Sequence, residues 1–126
     1  MSGVLDASAV LAIINDEPGA AAVRDRLLGS VMSLVNAIEV GTKLMDKGLP
    51  YDRAWEALDL LDIPLVELDA DLAAVAVALR PATRERGLSL ADRACLALAV
   101  REGLPALTAD RIWAELDLPC PVELIR

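Results

Sequence analysis

The sequence predicts an α/β fold, an α/β/α sandwich with a central parallel sheet of four to five short strands. Two observations carry that expectation. Short apolar, β-prone runs alternate along the chain with helical patterns of about 8 to 15 residues, and that alternation implies parallel pairing with helices on both faces. Apolar residues make up 56% of the chain while aromatics make up only 2%, so the core must be aliphatic, with Trp55, Trp113 and Tyr51 as its only rings. Such a composition suits helices packed on a sheet and argues against disorder. At 126 residues the chain has the size of one domain, and 1–126 is read as a single unit.

Val4-Leu5 reads as a first short strand, followed by a helical run through Ala9, Val10, Leu11, Ile13 and Ile14, with Asp6 at the junction. Asn15-Asp16-Glu17-Pro18-Gly19 ends that run, since proline then glycine punctuates any regular element. A second helix is expected from about Ala20 to Leu28, with Ala22, Val23, Leu27 and Leu28 on its apolar side and Gly29-Ser30 as its break. Val31 to Val35 is a β-prone run that fits a buried strand. Asn36 to about Lys47 follows as a helix, stopped by Gly48-Leu49, and Pro50 opens the next helix through Trp55, Leu58 and Leu61.

Ile63 to Leu68 reads as another strand, with Pro64 near its beginning, where a missing amide does least harm. Asp69 can cap a helix from Ala70 to Leu79, and Arg80 to Gly87 is polar and broken, a loop or a frayed turn. Ser89-Leu90-Ala91-Asp92 starts the strongest helix in the chain, reaching about Arg101, with Gly103 as its stop. Pro105 to Thr108 is a short strand, Asp110 to Leu116 a short helix, and Val122 to Ile125 an edge strand. No internal repeat or low-complexity tract interrupts the alternation.

Composition also excludes chemistries. With no histidine, the chain cannot hold a His-based triad or a His-ligated zinc. Its two cysteines lack CxxC spacing: Cys95 reads as a small buried hydrophobe and Cys120 stands between prolines. Any metal must therefore be bound by oxygen, which favours magnesium, manganese or calcium. No apolar run reaches the roughly 18 residues of a membrane span, and no basic segment precedes an apolar one near the start, so a cytoplasmic chain with no membrane partner is expected. The net charge of −8 is the wrong sign for a generic nucleic-acid binder. A role on nucleic acid would need a local basic patch, a bound cation or a partner's charge.

Four acids stand near expected helix starts: Asp6, Glu39, Asp92 and Asp110. Each has a plain structural reading. Asp6 and Asp110 can cap the helices that follow them, Asn36 with Glu39 has capping-box spacing, and Ser89 with Asp92 has a close relative of it. Glu39 can also pair with Lys43 one turn on. The joint reading is more specific. In a parallel sheet the carboxyl ends of the strands share one edge, so these carboxylates would gather there. Like charges at 4 Å repel by roughly 4 kcal/mol at an effective dielectric near 20, and capping does not require bringing them together. A hard divalent cation reverses that repulsion, and the available chemistry is then phosphodiester hydrolysis by an activated water. Ser8 and Thr108, two residues from Asp6 and Asp110, could orient a carboxylate or a water, or simply close local turns.

With these residues in view, the sequence resembles the PIN-domain family, and within it the VapC-type toxins of bacterial toxin–antitoxin pairs. The matching stretches are Val4-Leu5-Asp6-Ala7-Ser8, Glu39 in the helix after the second strand, Leu88-Ser89-Leu90-Ala91-Asp92 with its alanine-rich helix, and Leu107-Thr108-Ala109-Asp110. The resemblance spans essentially the whole chain. It implies a single PIN-like domain, a Mg²⁺- or Mn²⁺-dependent endoribonuclease acting on RNA, frequent homodimers, and a cognate antitoxin that blocks the site. It also implies that Asp6, Glu39, Asp92 and Asp110 are the acidic quartet, the last being the position that varies most in the family. Arg80, Arg84, Arg86 and Arg93 flank the third motif as a phosphate-contacting patch or as a solvated charged surface. An arginine supplied by an antitoxin could neutralise the carboxylates in place of metal.

Two rivals keep the fold but change the function. A catalytically silent PIN-fold interaction module would not cleave RNA. A receiver-like phosphoacceptor domain would want adjacent acids after the first strand and a lysine after the last, whereas Lys43 and Lys47 are both mid-chain.

Overall fold

The computed structural model describes residues 2–126. In chain order its elements are β1 (Val4–Leu5), α1 (Ala7–Ile14), α2 (Ala20–Arg24), β2 (Met32–Ser33), α3 (Leu34–Asp46), α4 (Tyr51–Asp59), β3 (Leu65–Val66), α5 (Ala70–Ala78), α6 (Arg80–Thr83), α7 (Leu90–Glu102), β4 (Ala106–Thr108), a 3₁₀ helix (Arg111–Glu115) and β5 (Val122–Leu124). Every strand pair is parallel: Val4 lies against Ala106, Ala106 against Val122, and Met32 against Leu65. The three-stranded part β1-β4-β5 and the pair β2-β3 meet at a single bridge between Val4 and Val31, carried by Leu5 N–H to Val31 O (3.0 Å) and Val31 N–H to Gly3 O (3.1 Å). The spatial order is thus β3-β2-β1-β4-β5, and the direction of winding reverses between β1 and β4.

Alternation along the strands feeds two cores. Leu5 and Leu107 face a cluster with Val10, Val23, Val40, Leu44 and Leu58, under α1, α3 and α4. Val4 and Ala106 face the opposite cluster with Leu72, Leu96, Leu98 and Trp113, under α5 and α7. Helices therefore cover both faces of the sheet. Helix α7 buries all of Ala94 to Ala99, and over that span its sequence is apolar on every side. Gly103 ends it at a φ of 65°, a left-handed conformation that glycine adopts without strain.

The strands are short because side chains take over early. Asp6 accepts the Ala9 amide, Ser33 accepts the Val35 amide, and each turns the chain into a helix directly after two paired residues. That corrects two expectations. The strand read over Val31 to Val35 stops at Ser33, and Ser33 rather than Asn36 caps α3. The capping box of Asn36 with Glu39 does not form, and Glu39 falls in the second turn of the helix. The second helix is also shorter than read: it ends at Arg24, because Ser30 Oγ takes the Arg26 carbonyl while Leu27 bonds back only to Arg24, leaving Leu28 93% exposed. Arg80 to Gly87 opens with the four-residue α6 rather than running as loop throughout.

Candidate metal centre

Asp6 directly follows β1, and Thr108 ends β4 with Asp110 two residues on, at the two strands where the winding reverses, the place at which an open α/β sheet forms its crevice. The Asp6 carboxylate is 5% exposed and engaged by donors on both oxygens. Its Oδ1 accepts the Ser8 hydroxyl at 2.7 Å and the Ala9 amide at 2.9 Å, and its Oδ2 accepts a short bond from the Thr108 hydroxyl. The two hydroxyls are themselves fixed. Ser8 Oγ accepts the Ala109 amide at 2.9 Å, Thr108 Oγ1 accepts the Asp110 amide at 3.0 Å, and the two oxygens lie 3.4 Å apart. Thr108 thus closes a local turn while Ser8 ties in a distant amide, and both hydroxyls orient the Asp6 carboxylate.

Burial pushes Asp6 up from 3.8 to about 6, against the three hydrogen bonds that favour its charged form; the charge of Asp92 adds to the rise. Asp92 is raised too, first by burial and then by the charges of Glu39 and Asp110, while its bonds to Ser89 oppose the shift. The Cys95 thiol, enclosed in α7, is pushed well up by burial, with Asp6, Asp92 and Glu39 contributing. These mutual effects tie all four acids into one electrostatic neighbourhood, although they come from four separate parts of the chain.

They do not close on each other, and among the described residues no three of them stand together as a ready-made cage. The reason is local: each carboxylate has a partner of its own. Asp6 is held as above, and Asp92 Oδ2 accepts the Ser89 amide at 2.9 Å in a complete capping box. Asp110 Oδ1 accepts the Ile112 amide at 3.0 Å, and Glu39 leans on Lys43 at 3.4 Å. Every capping role expected of Asp6, Asp92 and Asp110 is therefore present. The donor chemistry still fits a hard cation, because a carboxylate oxygen that accepts one hydrogen bond keeps a lone pair, and such ions retain several waters.

The four arginines are not equivalent. Arg86 pairs with Glu115 at 3.3 Å, and Arg93 turns its guanidinium onto the Ala76 carbonyl at 3.1 Å. Arg80 and Arg84 are exposed and, among the described residues, make no ion pair. One residue of this neighbourhood escaped the sequence reading as anything but a cap. Asn36, completely buried, donates from Nδ2 to the carbonyl of Ala91, next to Asp92. Its signal was a polar residue three positions before Glu39 in an otherwise apolar stretch.

A family model described as PIN domain matches residues 3–118. No curated protein matches the chain. Among solved structures, VapBC-5 from Mycobacterium tuberculosis, described as a member of the VapBC family of toxin–antitoxin systems, matches at 26% identity, with 99% of this chain and 98% of that chain covered and a TM-score of 0.68. DNA-bound VapBC from Salmonella typhimurium matches at 16% identity over 100% and 99% of the two chains, with a TM-score of 0.78. VapBC2 from Rickettsia felis, bound to a DNA fragment from its promoter, matches at 14% identity over 98% of both, with a TM-score of 0.76. The last two, at such low identity, speak to the fold alone.

Proposed function

The chain belongs to the PIN domain family, and from that premise we propose that it is a VapC-type toxin, a Mg²⁺- or Mn²⁺-dependent endoribonuclease checked by a cognate antitoxin. The observation that carries the proposal is Asp6: a buried carboxylate, held by the hydroxyls of Ser8 in α1 and of Thr108 at the end of β4, at the winding reversal and within the field of Asp92. A helix cap needs one amide and no such burial. Asp6 and Asp92 are the principal ligands in this reading, with Glu39 and Asp110 completing the site directly or through water.

A divalent cation bound there supplies charge compensation on the scissile phosphate and acidifies an attacking water. The chain's own residues do the rest. Ser8 and Thr108 hold Asp6 in place and favour its charged form, and Ser89 does the same for Asp92. Glu39 meets Lys43 in a surface contact of the kind worth about 0.5 kcal/mol, so it can leave that partner for a cation at little cost. Lys43, once freed, and the exposed Arg80 and Arg84 are among the cations this acidic chain can offer to RNA phosphates.

The partner reading has support of its own. Ile38, Met45, Tyr51 and Trp55 are exposed along a groove between α3 and α4, an apolar surface larger than scattered single residues would give. An antitoxin covering it, and reaching an arginine into the acidic centre, would silence the enzyme; a homodimer and a cytoplasmic location complete the proposal. No helix among the described residues is long and apolar enough to cross a membrane. The test is cleavage of total RNA in Mn²⁺. Wild type should cut and Asp6→Asn should not, whereas absence of cutting by wild type would leave a silent interaction module.

A further inference from the structure

We propose that Asn36 is a positioning residue, whose buried side-chain amide clasps the peptide before Asp92 and so holds the first turn of α7 against the helix that carries Glu39. The purpose assigned to the clasp rests on the cation reading above; its geometry does not. Asn36 has no exposure, and its Nδ2 donates to the Ala91 carbonyl at 3.1 Å, joining α3 to α7 across 55 residues of sequence. The amide orientation is settled by chemistry, because the Ala91 carbonyl can only accept. Asn36 Oδ1 is consequently turned elsewhere and, among the described residues, finds no partner.

A buried acceptor without a donor is costly, and an apolar side chain of the same shape would remove the cost. On stability alone a leucine would serve better in this aliphatic setting. What Asn36 provides instead is a link between two acids. Glu39 lies three residues on, on the same face of α3. The carbonyl that Asn36 grips shares its peptide unit with the Asp92 amide, which donates to Ser89 Oγ at 3.1 Å, and the Ser89 amide returns a bond to Asp92 Oδ2 at 2.9 Å. Donation into the carbonyl polarises that peptide and strengthens the next bond in the series. Glu39 and Asp92 repel each other across this joint, and the clasp resists their separation.

The experiment compares wild type with Asn36→Leu, using Asn36→Ala if the leucine variant misfolds. The first readout is amide hydrogen exchange in EDTA. The Asp92 amide should exchange about tenfold faster in the variant while Leu96 and Leu98 in mid-α7 are unchanged; an unchanged Asp92 rate would overturn the proposal whatever the metal does. The second is the Mn²⁺ dissociation constant, expected to weaken about tenfold with the metal-free Tm held or raised. An unchanged constant in a variant whose Asp92 amide is loosened would also overturn it. If wild type binds no Mn²⁺ at all, the cation reading falls, and the exchange result alone decides the clasp.

Discussion

Asp6 shows how much a single carboxylate can be asked to bear. Burial lifts it from 3.8 to about 6, so the folded protein holds its proton more tightly than the unfolded chain does. Stability is then greatest below about pH 4 as far as this group is concerned, and it declines as pH rises to about 6, by about 3 kcal/mol in all. Asp6→Asn removes the charge and keeps the shape. In EDTA at pH 7 it should melt above wild type, and the advantage should vanish by pH 4; a lower Tm at pH 7 in a thermal melt would contradict the electrostatic account. Thr108→Val tests the opposing term. It deletes the hydroxyl that donates to Asp6 and receives the Asp110 amide, and should cost about 2 kcal/mol at pH 7 and less at pH 4 by urea denaturation. At this scale the sequence was informative about identity and silent about contact. Asp6, Ser8 and Thr108 could be singled out, but the bond between Thr108 and Asp6 spans 102 residues and exists only in the fold.

At the scale of elements, caps decide where helices begin, and the sequence is ambiguous wherever two polar residues share the spacing. Ser33 and Asn36 are three apart, as are Asn36 and Glu39, so local pattern could not choose between them. Pairing chose: Met32 and Ser33 are taken up by Leu65 and Val66, and the helix starts immediately after. By contrast Ser89 and Asp92 were legible as a capping box because no competing strand reaches them. Ser89→Ala should destabilise α7 by about 1 kcal/mol, read from the urea midpoint. It should also weaken Mn²⁺ binding, since Asp92 then loses the partner that fixes its carboxylate; equal Mn²⁺ affinity in calorimetry would detach the cap from the centre. The end of α2 shows a different limit. Leu27 and Leu28 read alike as core, yet the turn tied by Ser30 to Arg26 leaves Leu27 half-buried and Leu28 in solvent, and periodicity carries no trace of such a tie.

For the molecule as a whole, the order β3-β2-β1-β4-β5 explains why acids from four parts of the chain share one neighbourhood. The alternation of elements was enough to foresee parallel strands; the order itself, set by the Val4–Val31 bridge and the β1–β4 pairing, was not in the pattern. A chain with net charge −8 brings four of its acids into one electrostatic neighbourhood at its crevice. On the proposed reading a bound cation offsets the repulsion among these carboxylates. Saturating Mn²⁺ should therefore stabilise wild type by about 2.7 kcal/mol at 100 times the dissociation constant, and affinity should fall as pH drops below about 6, where Asp6 takes up its proton. The most direct measurement is calorimetric titration of Mn²⁺ into wild type and Asp6→Asn at pH 7. The account predicts saturable binding to wild type and at least a tenfold loss in the variant; no binding to wild type, or equal affinity in both, would contradict it.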